Sequence, residues 1–236
     1  MENLPVKKPS KKLGVLGGMG PAASAEFLRL LAAKAPAKID QEHPIVYMIS
    51  DPQIPDRSSA ILGLGEDPTP RLKHNLHLLE EMGADLLAVP CNTAHYFIDT
   101  FRHELKVPLV HIIEETVLAA KRLNEEGSWM LSTVGTQRSG LYQKYAEKIG
   151  YRLWIPNPAV TSRAQECIDW VKAGKIAEAG ALMRQLVLDL WKEKDIPIMA
   201  ACTELPLAYD ASGLPSEKTV SSLSALADAC LKLIYE

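Results

Sequence analysis

Two cysteines stand where a buried strand would give way to a helix. Cys91 follows residues 85–89, which are apolar after Asp85, and Cys202 follows the apolar residues 198–201. Open α/β sheets place their reactive groups at such carboxyl ends of strands. A thiol at the start of a helix is expected to have a lowered pKa, because the helix dipole and free N–H groups stabilise the thiolate. The sequence therefore predicts two reactive thiols that share one cleft.

The other two cysteines have a different setting. Cys167 and Cys230 lie within predicted helices among apolar neighbours, which is typical of small core residues. The four cysteines form no Cys-x-x-Cys pair and are too sparse for a disulfide scaffold, so reduced thiols are expected.

Predicted strands alternate with predicted helices along the chain. The predicted strands are residues 13–16, 45–49, 85–89, 107–113, 128–133, 153–155 and 198–201. The helices between them follow from apolar periodicity, whereas residues 51–57 and 134–140 are predicted to be loops. This alternation predicts parallel sheets that are covered on both faces.

A repeat is indicated by two near-equal intervals, from Gly18 to Cys91 and from Gly135 to Cys202. Each interval runs from a glycine-containing first loop to a strand-end cysteine, which suggests a duplicated α/β unit. The final predicted helix, residues 222–235, could join either half. Residues 1–12 are rich in lysine and proline and are predicted to be a flexible, solvated tail.

Composition excludes several classes of partner. The 236 residues carry a net charge of −3, with 47% apolar and 23% charged residues, which is ordinary for a soluble globular protein. This charge predicts neither nucleic-acid binding nor attachment to an anionic membrane. The N-terminus lacks the apolar region of a signal peptide, and no apolar run reaches the ~18 residues of a membrane helix. We expect a cytoplasmic protein with a small polar ligand.

Two patterns in the sequence partly match cofactor or metal sites. Gly18, Gly20 and Ala23 imitate a dinucleotide fingerprint, but the acidic residue after the second strand, Asp51, lies too far along the chain and precedes a proline. A zinc site from Cys91, His95 and Cys202 lacks a fourth ligand. We therefore predict no cofactor and no metal.

Two cations are candidates for binding a carboxylate. Arg57 follows a loop stiffened by Pro52 and Pro55, so its guanidinium could be held for bidentate recognition. Lys172, near the end of a predicted helix, is more readily explained as an ordinary solvated lysine.

Taken together, these motifs resemble the aspartate/glutamate racemase family, in its aspartate racemase branch. The matching motifs are residues 16–21, 51–57, 90–95, 133–136 with 139–142, 171–174 and 202–204. The resemblance implies an α/β fold of two pseudo-symmetric Rossmann-like or flavodoxin-like domains, with parallel sheets and an active-site cleft between them. We assign residues 13–113 and 213–236 to the first domain and residues 114–212 to the second. It also implies a cofactor-independent enzyme that is frequently a homodimer.

The resemblance also implies the site. Cys91 and Cys202 match the catalytic acid/base pair, and Arg57 and Lys172 match the carboxylate-binding positions. Glu204, in place of a histidine, separates the chain from the glutamate racemase branch. The predicted substrate-binding residues are Met19, Gln53, Arg57, Asn92, Thr93, Thr133, Thr136, Lys172, Thr203 and Glu204.

The predicted reaction is interconversion of L- and D-aspartate, or of the glutamate enantiomers, by one thiolate and one thiol. Backbone N–H groups at Gly18 and Gly135 and the Thr136 hydroxyl are candidate donors to the enediolate. The alternatives are another cofactor-free reaction, such as maleate isomerisation or decarboxylation of a malonate, an amino-acid-binding protein without activity, and a nucleotide-dependent enzyme.

Overall fold

The computed structural model describes residues 8–236, which contain eight strands and eleven α-helices. The strands are β1 (Leu13–Gly17), β2 (Val46–Ser50), β3 (Leu86–Ala88), β4 (Leu109–Val110), β5 (Ser128–Leu131), β6 (Leu153–Trp154), β7 (Ile198–Ala200) and β8 (Thr219–Ser221). The helices are α1 (Pro21–Lys34), α2 (Arg57–Ile61), α3 (Thr69–Glu81), α4 (His95–Phe101), α5 (Ile112–Leu123), α6 (Val134–Ser139), α7 (Leu141–Lys148), α8 (Pro158–Lys172), α9 (Ile176–Glu193), α10 (Leu205–Ala211) and α11 (Ser222–Tyr235). None of these helices combines the length and apolar character needed to cross a bilayer.

The strands form two parallel sheets with the same topology. The order is β2-β1-β3-β4 in the first sheet and β6-β5-β7-β8 in the second, and every strand pair is parallel. The prediction of an α/β fold with two matching parallel sheets is confirmed. In each sheet the chain reverses its direction of winding next to the first strand, and such switch points open a crevice at the strand ends. Cys91 follows β3 and Cys202 follows β7, which are equivalent strands.

Apolar residues cover both faces of the sheets. All five residues of β1 and all three of β3 and β7 are buried, as expected for central parallel strands. One hydrophobic cluster joins Val15 of the first sheet to Met130 and Met199 of the second through α1, α5, α7 and α11. Separate clusters lie under α3 and α4, and under α8, α9 and α10. The two halves therefore share a core and hold their strand ends in a fixed relation.

The last 24 residues are divided between the halves. We assigned residues 213–236 to the first domain, but β8 within this range pairs with β7 of the second sheet, with Met199 opposite Val220. The helix that follows, α11, packs mainly against α1 and α5. β8 escaped prediction because Val220 is the one apolar residue among its three, so it lacks the apolar run that marks β3 and β7.

The N-terminal segment is attached to the rest of the chain from Ser10 onward. Ser10 N–H donates to the carbonyl oxygen of Ile234 (2.8 Å), and Lys12 N–H donates to the carboxylate of Asp85 (2.9 Å). These contacts differ from the flexible tail predicted for residues 1–12. The first seven residues of that predicted tail lie outside the described residues.

A short helix replaces the loop predicted at residues 134–140. The Thr133 hydroxyl accepts a hydrogen bond from the N–H of Thr136 (3.0 Å) and so caps α6. Gly140 ends the helix in the left-handed region, with φ of 67°. The loop prediction was wrong because one turn of helix carries too few apolar residues to show a period.

We predict that Gly18, in the loop after β1, is a glycine at which replacement is especially damaging. Its φ is 92°, and a Cβ there would lie 2.5 Å from backbone atoms of Asp51. Gly63 has a similar φ of 73° but open space around it. Replacing Gly63 therefore measures the cost of backbone strain without a steric clash. Gly63→Ala should lower the free energy of unfolding by about 1 to 2 kcal/mol, and Gly18→Ala by a further 1 to 3 kcal/mol or so.

Urea-induced unfolding of both variants measures this difference. Equal losses for the two substitutions would contradict the close packing of the β1 loop on Asp51.

Candidate active site

A small cavity lies where the carboxyl ends of the two sheets meet. It is narrow, with a cavity volume of about 20 Å³, which is the space of about one water molecule. Its lining comes from both halves of the chain and consists of Met19, Asp56, Arg57, Ser58, Cys91, Asn92, Thr93, Thr133, Lys172, Cys202, Thr203 and Glu204. The structure therefore brings the two strand-end cysteines to one enclosed space, whereas Cys167 and Cys230 are buried in the core.

A buried histidine supports the turn that carries Cys91. His95 Nδ1 donates to the carbonyl oxygen of Cys91 (2.9 Å), and its ring meets that of His111 edge to face, with centroids 4.5 Å apart. Burial, with the nearby His111, lowers the pKa of His95 well below its usual value, so the ring is neutral. His95 does not line the cavity. It therefore positions the Cys91 turn and is not placed as the zinc ligand that the metal alternative required.

The two residues after Cys91 connect the first half of the chain to the second. The Tyr142 hydroxyl donates to Asn92 Oδ1 (2.6 Å), and Asn92 Nδ2 donates to Ser222 Oγ (3.0 Å). The Thr93 hydroxyl lies 3.2 Å from that of Thr133 and 2.8 Å from that of Thr136. All of these side chains are buried, so the hydrogen bonds fix the Cys91 loop against the loop after β5.

The thiol of Cys202 is paired with a buried carboxylate. Cys202 Sγ donates to Glu204 Oε2 (3.0 Å), and Glu204 is only 2% exposed. Burial and the negative charge of Glu204 together raise the pKa of Cys202 well above its usual value. The prediction of a lowered pKa for this thiol was wrong. The first residue of α10 is Leu205, and the effect of burial and the adjacent carboxylate exceeds that of the helix end.

The arginine of the cavity is held by the backbone of its own loop. Arg57 Nη1 donates to the carbonyl oxygens of Ile54 (3.1 Å) and Pro55 (3.0 Å), which orients the guanidinium. Its Nε is buried and has no hydrogen-bond partner among the described residues. A planar guanidinium with an unpaired buried N–H is suited to a carboxylate ligand.

Close packing brings the Arg57 helix to the second half of the chain. A Cβ on Gly135 would lie 2.6 Å from Ser58 Oγ and 2.7 Å from its Cα, so α2 approaches α6 as closely as a glycine permits. Asp56 caps α2 by accepting from the N–H of Ser59 (2.7 Å). These contacts place Arg57 against the cavity from one side.

The second cation reaches the cavity from the end of α8. Lys172 is the last residue of that helix, and part of its side chain remains in solvent. Burial lowers its pKa, but the negative charge of Glu204 and of the two cysteine sulfurs outweighs that effect and raises the pKa overall. Lys172 is therefore positively charged at neutral pH beside both thiols.

Two predicted binding residues lie away from the cavity. The side chain of Gln53 is exposed and accepts from Arg71 Nη2 (3.1 Å). The Thr136 hydroxyl is engaged with Thr93 and Thr133 in the interior. Conversely, Asp56 and Ser58 line the cavity but were not predicted as site residues. Both flank Arg57, so its position in the sequence was the available signal.

Comparison with known proteins agrees with this geometry. Residues 16–230 match the model of the Asp/Glu/Hydantoin racemase family, which is most of the chain. The chain belongs to this family. The match includes both strand-end cysteines, Arg57, Lys172 and Glu204.

Relatives of this racemase-family chain are similar over most of their length. The broad specificity amino-acid racemase RacX of Bacillus subtilis is 28% identical over 208 residues, covering 84% of this chain and 87% of the relative. The structure of Picrophilus torridus aspartate racemase has a TM-score of 0.82 and 28% identity, covering 94% of each chain. The glutamate racemase of Francisella tularensis, solved in complex with D-glutamate, shares the fold, with a TM-score of 0.69, 12% identity and coverage of 95% and 81%.

We predict that the four thiols divide into two classes in alkylation experiments. Burial raises the pKa of Cys167 to about 12 and that of Cys230 further, and neither thiol borders the cavity. At a pH of about 8, iodoacetamide should therefore modify Cys91 and leave Cys167 and Cys230 intact in the folded protein. Cys202 should react more slowly than Cys91, because its pKa is raised.

Peptide mass spectrometry after timed labelling gives the order of modification, and labelling in urea shows that all four thiols can react. Modification of Cys167 as fast as that of Cys91 in the native protein would contradict the assignment.

Proposed function

We propose that this racemase-family protein interconverts the L and D forms of aspartate or glutamate without a cofactor, with Cys91 and Cys202 as the two acid/base groups. The observation that carries the proposal is that these thiols, delivered by equivalent strands of the two sheets, line the same cavity. Inverting a Cα centre requires a base on one face and an acid on the other. Two thiols from opposite halves of a cavity meet that requirement.

The surroundings of the thiols suggest which one holds the proton at rest. The raised pKa of Cys202 favours its thiol form, and its S–H is held by Glu204. In one direction of the reaction, the Cys91 thiolate would take the α-proton while Cys202 supplies a proton to the opposite face. In the reverse direction the roles exchange. Lys172 beside both sulfurs favours the one negative charge that the pair must carry.

An acidic amino acid fits the charges of the cavity. Arg57 offers its unpaired buried Nε to a carboxylate, and Lys172 offers a second positive charge. The carboxylates of Asp56 and Glu204 also border the space and can face an α-ammonium group. The relatives named above as aspartate racemase and broad specificity racemase support the same class of reaction. Homodimer formation and a cytoplasmic location stay predictions from the sequence.

Replacement of either cavity cysteine tests the two-base assignment. We expect Cys91→Ser and Cys202→Ser each to lower racemisation of aspartate or glutamate by about 10³-fold or more, because one proton transfer then lacks its group. Cys167→Ala removes a thiol outside the cavity and should retain activity. Chiral chromatography after incubation with each enantiomer, without added cofactor, measures the rates.

Incubation in D₂O separates the two half-reactions. Each serine variant should, at most, exchange the α-proton of the single enantiomer that faces its remaining thiol. Full racemisation by either single variant would exclude the two-base mechanism.

Arg57 provides the test of substrate class. Arg57→Lys keeps the charge but loses the fork that the Ile54 and Pro55 carbonyls hold in place. We expect KM for aspartate to rise about 10- to 100-fold, the loss expected for a charge-assisted hydrogen bond. The exposed Arg122→Lys is the matched control and should leave KM unchanged.

Rates with asparagine, which lacks the side-chain charge, show which carboxylate Arg57 binds. Equal activity of the wild-type protein on aspartate and on uncharged amino acids would instead favour a broad-specificity racemase, as in the relative from Bacillus subtilis.

A further inference from the structure

Glu204 has contacts on both oxygens of its carboxylate, and they come from both halves of the chain. Oε2 accepts from Cys202 Sγ (3.0 Å) and from the Thr203 hydroxyl (3.1 Å). Oε1 accepts from the N–H of Gly20 (3.2 Å), which belongs to the loop after β1. With 2% of the residue exposed, solvent provides little screening of its charge. Among the described residues, Glu204 is the charged side chain that is hydrogen-bonded to Cys202.

Several other titratable groups face Cys202 and act on its charge. Lys172 approaches from α8 and favours the thiolate. Cys91 lies across the cavity, and Tyr142 of α7 is buried nearby, so that burial and, to a smaller extent, a negative Cys202 raise the pKa of its phenol. Arg57 and Asp56 border the cavity as a pair of opposite charges beside α2. Glu204 is the one of these groups that is hydrogen-bonded to the sulfur.

We infer that Glu204 is a positioning residue that keeps the last proton of the cysteine pair on Cys202, and thereby sets the alkaline limit of activity. This inference rests on the proposed racemisation. The active pair carries one proton, because one sulfur must be a thiolate and the other a thiol. Loss of that proton at high pH would place a thiolate next to the Glu204 carboxylate, and repulsion between the two charges opposes it. The protonated pair therefore survives to a higher pH than it would without Glu204.

The proton balance fixes what must be measured. The Cα–H bond breaks as its proton moves to the Cys91 sulfur, and its electron pair passes into the carboxylate group. The electron pair returns to Cα as it takes the Cys202 proton on the opposite face, which leaves Cys202 as the thiolate. Both directions use the singly protonated pair, so the pH limits belong to the pair and not to either sulfur. Mirror-image substrates have equal free energies, so kcat/KM and its pH limits must be the same in both directions.

The first test compares the pH dependence of kcat/KM for Glu204→Gln with that of the wild-type protein. Glutamine has nearly the same shape but no charge, and its single oxygen can still accept from the Gly20 N–H while its amide N–H group faces Cys202 and Thr203. We expect the alkaline limit to fall by about one pH unit or more, equally for the L and D substrates. Glu193→Gln removes an exposed carboxylate from the same half of the chain and should leave the profile unchanged. A uniform loss of rate with no shift of the limit would overturn the inference.

Glu204→Asp separates charge from shape. Aspartate keeps the negative charge but is too short to maintain every contact, so activity should fall while the alkaline limit stays near that of the wild-type protein. An equal downward shift in Glu204→Asp and Glu204→Gln would mean that geometry and not charge is responsible. If Glu204→Gln does not fold, Glu204→Asp is compared with the wild-type protein alone, and a lowered alkaline limit despite the retained charge would overturn the inference.

Alkylation of Cys202 gives a readout that needs no turnover. In a Cys91→Ser background, the rate of iodoacetamide modification at the Cys202 peptide is followed against pH, with and without Glu204→Gln. We expect the midpoint to move to lower pH by about one unit or more in the double variant. If the wild-type protein racemises its substrate but Glu204→Gln leaves the Cys202 midpoint unchanged, this inference alone is overturned. If Glu204→Gln shifts the Cys202 midpoint but the wild-type protein racemises neither aspartate nor glutamate, the effect of Glu204 on the Cys202 proton is supported and the proposed function is refuted.

Discussion

The position of Cys91 depends on buried hydrogen bonds that join the two halves of the chain. Asn92 accepts a hydrogen bond from the Tyr142 hydroxyl, and the Thr93 hydroxyl contacts those of Thr133 and Thr136. Buried polar groups are destabilising unless they are paired, and a partly satisfied network is worse than an apolar contact. Here the partners of each side chain are supplied by the opposite half, so the network forms only when the halves are docked. The same docking closes the cavity around both thiols.

The two sheets share a topology but surround their cysteines differently. The residue after Cys91 is a neutral amide that contacts protein groups, whereas two residues after Cys202 comes a buried carboxylate that contacts the sulfur. A strictly symmetric pair of sites would give two thiols of equal proton affinity. The two thiols therefore have different neighbours, although the two sheets that carry them have the same strand order.

Much of the fold and part of the site could be read from the sequence, for identifiable reasons. The buried strands before Cys91 and Cys202 are continuous apolar runs, and such runs mark central parallel strands. The features that escaped prediction were short or depended on distant residues. β8 has a single apolar residue, Val220, and α6 depends on a cap from Thr133. Gln53 lies away from the cavity, where its side chain contacts Arg71, a residue that α3 brings to it.

The charge state of Cys202 illustrates why local sequence context was insufficient. A cysteine before a helix indicates a stabilised thiolate when the helix end is the strongest nearby field. In this protein the thiol is buried and hydrogen-bonded to Glu204, and these effects raise its pKa. Lys172 opposes them from α8, a helix that lies thirty residues earlier in the chain. The balance between one carboxylate and one ammonium group is therefore a property of the closed cavity. Any movement that parts the two halves would remove Gly20 from Glu204 and shift that balance, so closure of the cavity and the protonation of its thiols are physically coupled.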